Sequence, residues 1–109
     1  PVAVRTKRLG KGSVAAGGDA LAYSAPSGET VIVKDIRLYA SGAAVSRAIL
    51  YIASGALNIS IVDRALASGE VFHELPWVVL LPGDDLRVAS AGATTAYWIS
   101  GAELEGLAN

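Results

Sequence analysis

The chain has 109 residues, 52% of them apolar but only 6% aromatic, and a formal net charge of −1. So apolar and nearly neutral a chain buries enough surface to offset its ordering entropy, which excludes the disordered class. Clean apolar runs such as Trp77 to Leu81 are far too short to span a bilayer, and no stretch long enough for a signal peptide follows the basic N-terminus.

The length predicts a single domain. With no Cys, neither a disulfide nor a thiolate nucleophile is available. Charge is unevenly placed. Residues 1–12 carry Arg5, Lys7, Arg8 and Lys11 and no acid, giving +4, and the remaining 97 residues sum to −5. Glycines at 10, 12, 17 and 18 weigh against a packed element there. Residues 1–18 are therefore expected to form an extended basic N-terminal arm that orders against something else, with residues 19–109 as the body.

From residue 19 the chain reads as short strands between turns. Ala20–Ser24 runs into the turn Pro26-Ser27-Gly28-Glu29, where Pro presets φ and Gly supplies positive φ. Thr30–Tyr39 is the strongest strand signal. Val31 and Val33 share one face and Ile36 and Leu38 the other, so the slip at Lys34-Asp35 predicts a bulge that keeps both pairs inward. Val45, Ala48, Ile49 and Ile52 suit a helix by spacing and a strand by β-branching; strand is the preferred reading. Ile59, Val62 and Leu66 leave helix and strand equally open. Trp77–Leu81, Pro82-Gly83-Asp84-Asp85 and Leu86–Val88 read as strand, tight turn and strand, and Gly92-Ala93 precedes a last strand with Tyr97 and Ile99 on one face and Trp98 on the other. Turns of small residue, Gly and acid before a strand recur at Gly28, Gly69 and Gly83. The sum predicts an all-β, antiparallel sandwich or jelly-roll-like single domain.

Site chemistry is sparse. The single histidine, His73, lies beside Glu74 in an alternating segment, where strand neighbours point to opposite faces, so it is expected on the surface rather than in a catalytic pair. Asp84-Asp85 are expected to bond the local turn backbone and lack the calcium-loop pattern. Gly10-Lys11-Gly12-Ser13 lacks phosphate-loop spacing, and the sequon Asn58-Ile59-Ser60 carries no weight without a secretion signal. No catalytic residue, metal ligand or cofactor is predicted. Most of the aromatics (Tyr23, Tyr39, Tyr51, Tyr97, Trp77 and Trp98) are expected to fill the core or a subunit interface, with Trp98 singled out as a possible exposed contact.

The segments Ala25–Leu38, Trp77–Val88 and Tyr97–Glu103, in that order, resemble small proteins encoded among the structural genes of tailed bacteriophages, described as tail-associated or other virion proteins. The resemblance covers residues 20–104. It implies a non-enzymatic virion component built as a β-sandwich and transfers no catalytic residue. On this reading the protein is made in the bacterial host cytoplasm and enters the virion. There it decorates or cements the capsid, or serves as a tail or neck accessory. Its expected partners are itself, as a homo-oligomer with a trimer among the candidates, and the major capsid or tail proteins. The arm would dock through Val2, Val4, Arg5, Lys7, Arg8 and Lys11 onto an acidic neighbour, because an acidic body weighs against nucleic acid. A carbohydrate-binding module stacking sugars on its aromatics is the alternative.

Overall fold

The structure, a computed structural model, describes residues 3–105, with side chains described for 5–104. The protein is all-β. Its strands are β1 (Ala3–Val14), β2 (Asp19–Ser24), β3 (Glu29–Ala40), β4 (Val45–Ser54), β5 (Leu57–Leu66), β6 (Val71–Glu74), β7 (Val78–Leu80), β8 (Asp85–Ala91) and β9 (Thr95–Glu105). They form two antiparallel sheets. The first runs β1-β9-β3-β6, with β7 continuing β6 along the same edge of β3; the second runs β2-β8-β4-β5. Every connection crosses between the sheets except the β4–β5 hairpin and the β6–β7 link, which is the topology of a jelly roll.

The core between the sheets is aliphatic. Val31, Val33, Ile36, Leu38, Leu50, Leu86, Val88 and Ile99 are all fully buried. Inward placement of both apolar pairs on β3 depends on the register shift between Val33 and Asp35 in its pairing with β9, the bulge that the broken alternation predicts. None of the six aromatics named from the sequence is fully buried. Tyr97 and Tyr23 pack at the margin of the core, whereas Tyr39, Trp77 and Trp98 are exposed. A sandwich this thin is filled by Val, Leu, Ile and Ala, which leaves the large rings at its surface.

Residues 43–66, ambiguous in sequence, are two strands. Register shifts between Val45 and Ala48, and between Leu50 and Tyr51, change which residues face inward. They place buried Val45 and Ala48 three residues apart, a spacing that also fits a helix.

The N-terminal segment is extended as expected, but it docks on the chain's own body. β1 pairs along its length with β9, from Ala3 opposite Glu105 to Val14 opposite Thr95. A register shift at Leu9 turns that side chain into the core. Gly10 is needed for close packing, and Gly12 leaves room for the Tyr97 side chain. A Cβ on Gly10 would stand 2.5 Å from the Ala22 carbonyl oxygen of β2, and one on Gly12 would stand 2.9 Å from the Tyr97 hydroxyl. The glycines read as a sign of an unpacked arm are where β1 passes close over β2 and under Tyr97.

Candidate functional site

The basic residues of β1 divide into two groups according to the face they take. Arg5 and Lys7 reach Glu103 of β9, a carboxylate only 3% exposed. Arg5 donates to Glu103 Oε1 at 3.2 Å, the Lys7 ammonium lies 3.3 Å from Oε2, and the Tyr23 hydroxyl donates to Oε2 at 2.6 Å. Arg5 also bonds Glu29. Burial pushes the Glu103 carboxyl upward, but the hydrogen bonds from Tyr23, Lys7 and Arg5 outweigh it and hold the group below its ordinary 4.5. The same contact works on Tyr23, whose hydroxyl is raised above 10.0 by burial first and by the bond to Glu103 second. Two of the charges assigned from sequence to partner docking therefore tie β1 to β9 and, through Tyr23, to β2 of the second sheet.

Arg8 and Lys11 take the other face. Lys11 stands opposite Trp98, Trp98 opposite Arg37, and Arg37 opposite His73, so these four side chains cross β1, β9, β3 and β6 in one row. Alternation turns the row away from the core, because the flanking Tyr97 and Ile99 face inward. The Arg8 guanidinium sits 5.2 Å from the Trp98 ring centre. Trp98 remains 43% exposed. Beyond the row, Lys34 at the bulge, with Thr6, Lys7, Ser100 and Gly101, lines an open groove of about 350 Å³. Asp35 is the row's acid: its Oδ1 lies 3.2 Å from His73 Nε2 and 3.4 Å from Arg37 Nε, in neither case with hydrogen-bond geometry. Lys11 and Lys34 have no carboxylate partner among the described residues. Of the residues singled out in sequence, Arg8, Lys11 and Trp98 are thus brought together. Val4 contributes backbone pairing to Leu104, and Val2 lies outside the described residues.

The outer face of the second sheet is charge-matched. Arg47 grips Asp63 through two bonds of 2.8 and 2.7 Å, which holds that carboxyl below its ordinary range, and Asp19 accepts from both Arg87 and Tyr51. Asp84 serves its turn, as the sequence suggests, whereas Asp85 begins β8 and bonds across to β2 rather than to the turn backbone. Asp84 accepts from the Leu81 amide at 3.0 Å and from Ser54 at 2.7 Å, and Asp85 accepts from Ser24. His73 has a carboxylate and a guanidinium as neighbours. Among the described residues, no three His, Cys, Asp or Glu converge as a metal site, and no helix is long and apolar enough to cross a membrane.

A second surface is apolar, and sequence reasoning missed it. β1 packs against β2 on one side of the sandwich, so β5 lies beside β6 and β7 on the other, where Arg64 of β5 stacks 4.7 Å from the Phe72 ring of β6. Seven of the ten exposed large apolar side chains come from these strands and their loops: Leu57 and Ile59 from β5, Leu75, Trp77 and Leu81 from the adjoining loops, and Val71 and Val79 from β6 and β7, which turn toward the same outer face of the first sheet as His73. Trp77 is 64% exposed and holds a φ of 50°, the only non-glycine positive φ among the described residues. For an L-residue that conformation costs roughly 1–2 kcal/mol. The signal was the interruption Leu75-Pro76-Trp77, where Pro removes an amide donor and ends β6.

No family model and no curated protein matches the sequence. Solved structures share the fold. The Drosophila NLP core, whose structure was described for pentamer formation and histone binding, superposes with a TM-score of 0.57 at 15% identity, over 89% of this chain and 98% of that one. A chain of infectious bursal disease virus, Gt strain, superposes with a TM-score of 0.50 at 14% identity, over 99% of this chain; this chain spans about a third (33%) of that one.

Proposed function

We propose that this chain is a non-enzymatic structural protein of a tailed-bacteriophage virion. It is made in the host cytoplasm and built into the particle as a capsid-decorating or cement subunit, or as a tail or neck accessory. The observation that carries this reading is the basic row on the outer face of the first sheet. Lys11, Trp98, Arg37 and His73 stand side by side, Arg8 and Lys34 flank them, and one carboxylate lies among them. Such a face fits an acidic neighbouring subunit, steering it by charge and offering Trp98 as the apolar anchor. Jelly rolls are used repeatedly for viral capsid domains, and two of the three segments that resemble phage structural proteins contain β3 and β9, the central strands of this face. The docking role expected of a mobile arm thus passes to a rigid sheet surface that includes two of its residues.

The sugar-binding alternative receives less support, because Trp98 rises from β9 and Trp77 from the far edge, with β3 between them and a cation over each ring. The test is co-sedimentation of the purified chain with particles that lack it. The wild-type chain pellets with them, and Arg8→Glu/Arg37→Glu, folded by circular dichroism, binds at least about tenfold more weakly. Undiminished pelleting of the double variant refutes the assignment.

A further inference from the structure

We infer that the flank made by β5, β6 and β7 is covered by the same flank of a second copy of this chain, the two related by a two-fold axis. The inference rests on the reading of the chain as a structural subunit, but it uses the open edge of the sandwich, which adjoins the basic face at β6.

Both edges on this side are open. β5 pairs only with β4, and β6 and β7 pair only with β3. Open edges bearing exposed Leu57, Ile59, Leu75 and Val79 are a liability for an isolated protomer, and such an edge is ordinarily charged, shortened or covered. The flank's charges do little to protect it. Arg64 binds Glu70 and Asp63 binds Arg47, which leaves Glu74 and Lys34, the latter with its ammonium 5.1 Å from the Trp77 ring centre, as the charges here without an ion-pair partner among the described residues. Trp77 adds an independent observation. A bulky ring held outward in a left-handed conformation points to a function served away from the core.

Size and composition choose the occupant. The molecule measures 47 × 27 × 17 Å, so a side bounded by its longest and shortest dimensions has at most about 800 Å², and covering this flank fully would approach the area each partner contributes to a standard stable interface. Apolar surface is best covered by apolar surface of equal extent. Among the described residues the opposite flank supplies only Leu21 from β2, so a head-to-tail ring would set the apolar edge against the polar residues and cations described on β1 and β2. Like meeting like satisfies both copies at once, which is the two-fold, isologous arrangement. Leu75 and Trp77, midway along the flank, then lie near the axis and close to their own counterparts.

Sedimentation equilibrium of the full chain at tens of micromolar tests this. The expected mass is twice 11.1 kDa. Leu75→Glu and Leu75→Lys, each checked for a native circular dichroism spectrum, bring like charges together at the axis and weaken the dimer at least about a hundredfold. An equimolar mixture of the two restores a dimer containing one of each. If Leu75 variants do not fold, the pair Val79→Glu and Val79→Lys repeats the experiment at the edge strand. A wild-type monomer overturns the inference, as does a ring of three or more copies, or two weakened variants that fail to rescue each other. An intact dimer that does not bind particles overturns the virion assignment alone.

Discussion

Replacing Glu103 with Ala removes the carboxylate on which Arg5, Lys7 and Tyr23 converge, and the loss can be worked from the contacts. The Tyr23 bond is short and shielded, so as a charge-assisted hydrogen bond it contributes about 1.5–3 kcal/mol. The two cations are half exposed, at 50% and 46%, and regain water once released. Their pairings are therefore discounted to roughly 0.2–1 kcal/mol each. The sum is about 2–5 kcal/mol, a Tm lower by roughly 10–25 °C for a domain of this size. Urea unfolding followed by far-ultraviolet circular dichroism, at one protein concentration, measures it. Acid should erase the difference. The folded carboxyl titrates below its ordinary 4.5, so its contribution is complete above that pH and disappears as pH falls through the folded value. A loss below about 0.5 kcal/mol at pH 7 would mean that β1 is held by its ladder to β9 alone, and would refute the reasoning.

The partner of that carboxylate gives an alkaline test. The Tyr23 phenol titrates higher folded than unfolded, so it stabilises below pH 10 and the gain is lost as pH climbs past 10; Tyr23→Phe should flatten this part of the pH–stability curve. At Trp77, in the β6–β7 loop, the usual entropic cost of Gly relative to Ala should be outweighed, with Trp77→Gly about 1 kcal/mol more stable than Trp77→Ala in chemical denaturation, because only Gly takes a φ of 50° without cost. Gly10→Ala sets a methyl 2.5 Å from the Ala22 carbonyl and should destabilise by about 1–3 kcal/mol in the same assay; a neutral result would mean that β1 does not pass close over β2.

The architecture was legible where the pattern is local. The Lys34-Asp35 slip announced a bulge, and the turns at Gly28, Gly69 and Gly83 all adopt the positive φ their glycines suggest. It was illegible where meaning depends on distant residues. Arg5 and Lys7 look like solvated charges until Glu103, more than ninety positions away, comes alongside them. Gly10 and Gly12 signify slack until Ala22 and Tyr97 are seen against them. The row of Lys11, Trp98, Arg37 and His73 draws one residue from each of four strands, so no window of sequence contains it. The apolar flank was hidden for another reason. Leu57, Ile59 and Leu75 are the residue types expected of a core, and only the open edges beside β5 and β6 place them at the surface.

The central claim is that the chain is a stoichiometric virion component held by its basic face. Quantitative mass spectrometry of purified particles from a lysate of the host that carries this chain tests it most directly. The account predicts a fixed copy ratio to the major capsid or tail protein, lost in particles made with Arg8→Glu/Arg37→Glu. Particles without the chain, with all of it left in the soluble lysate, would contradict the account.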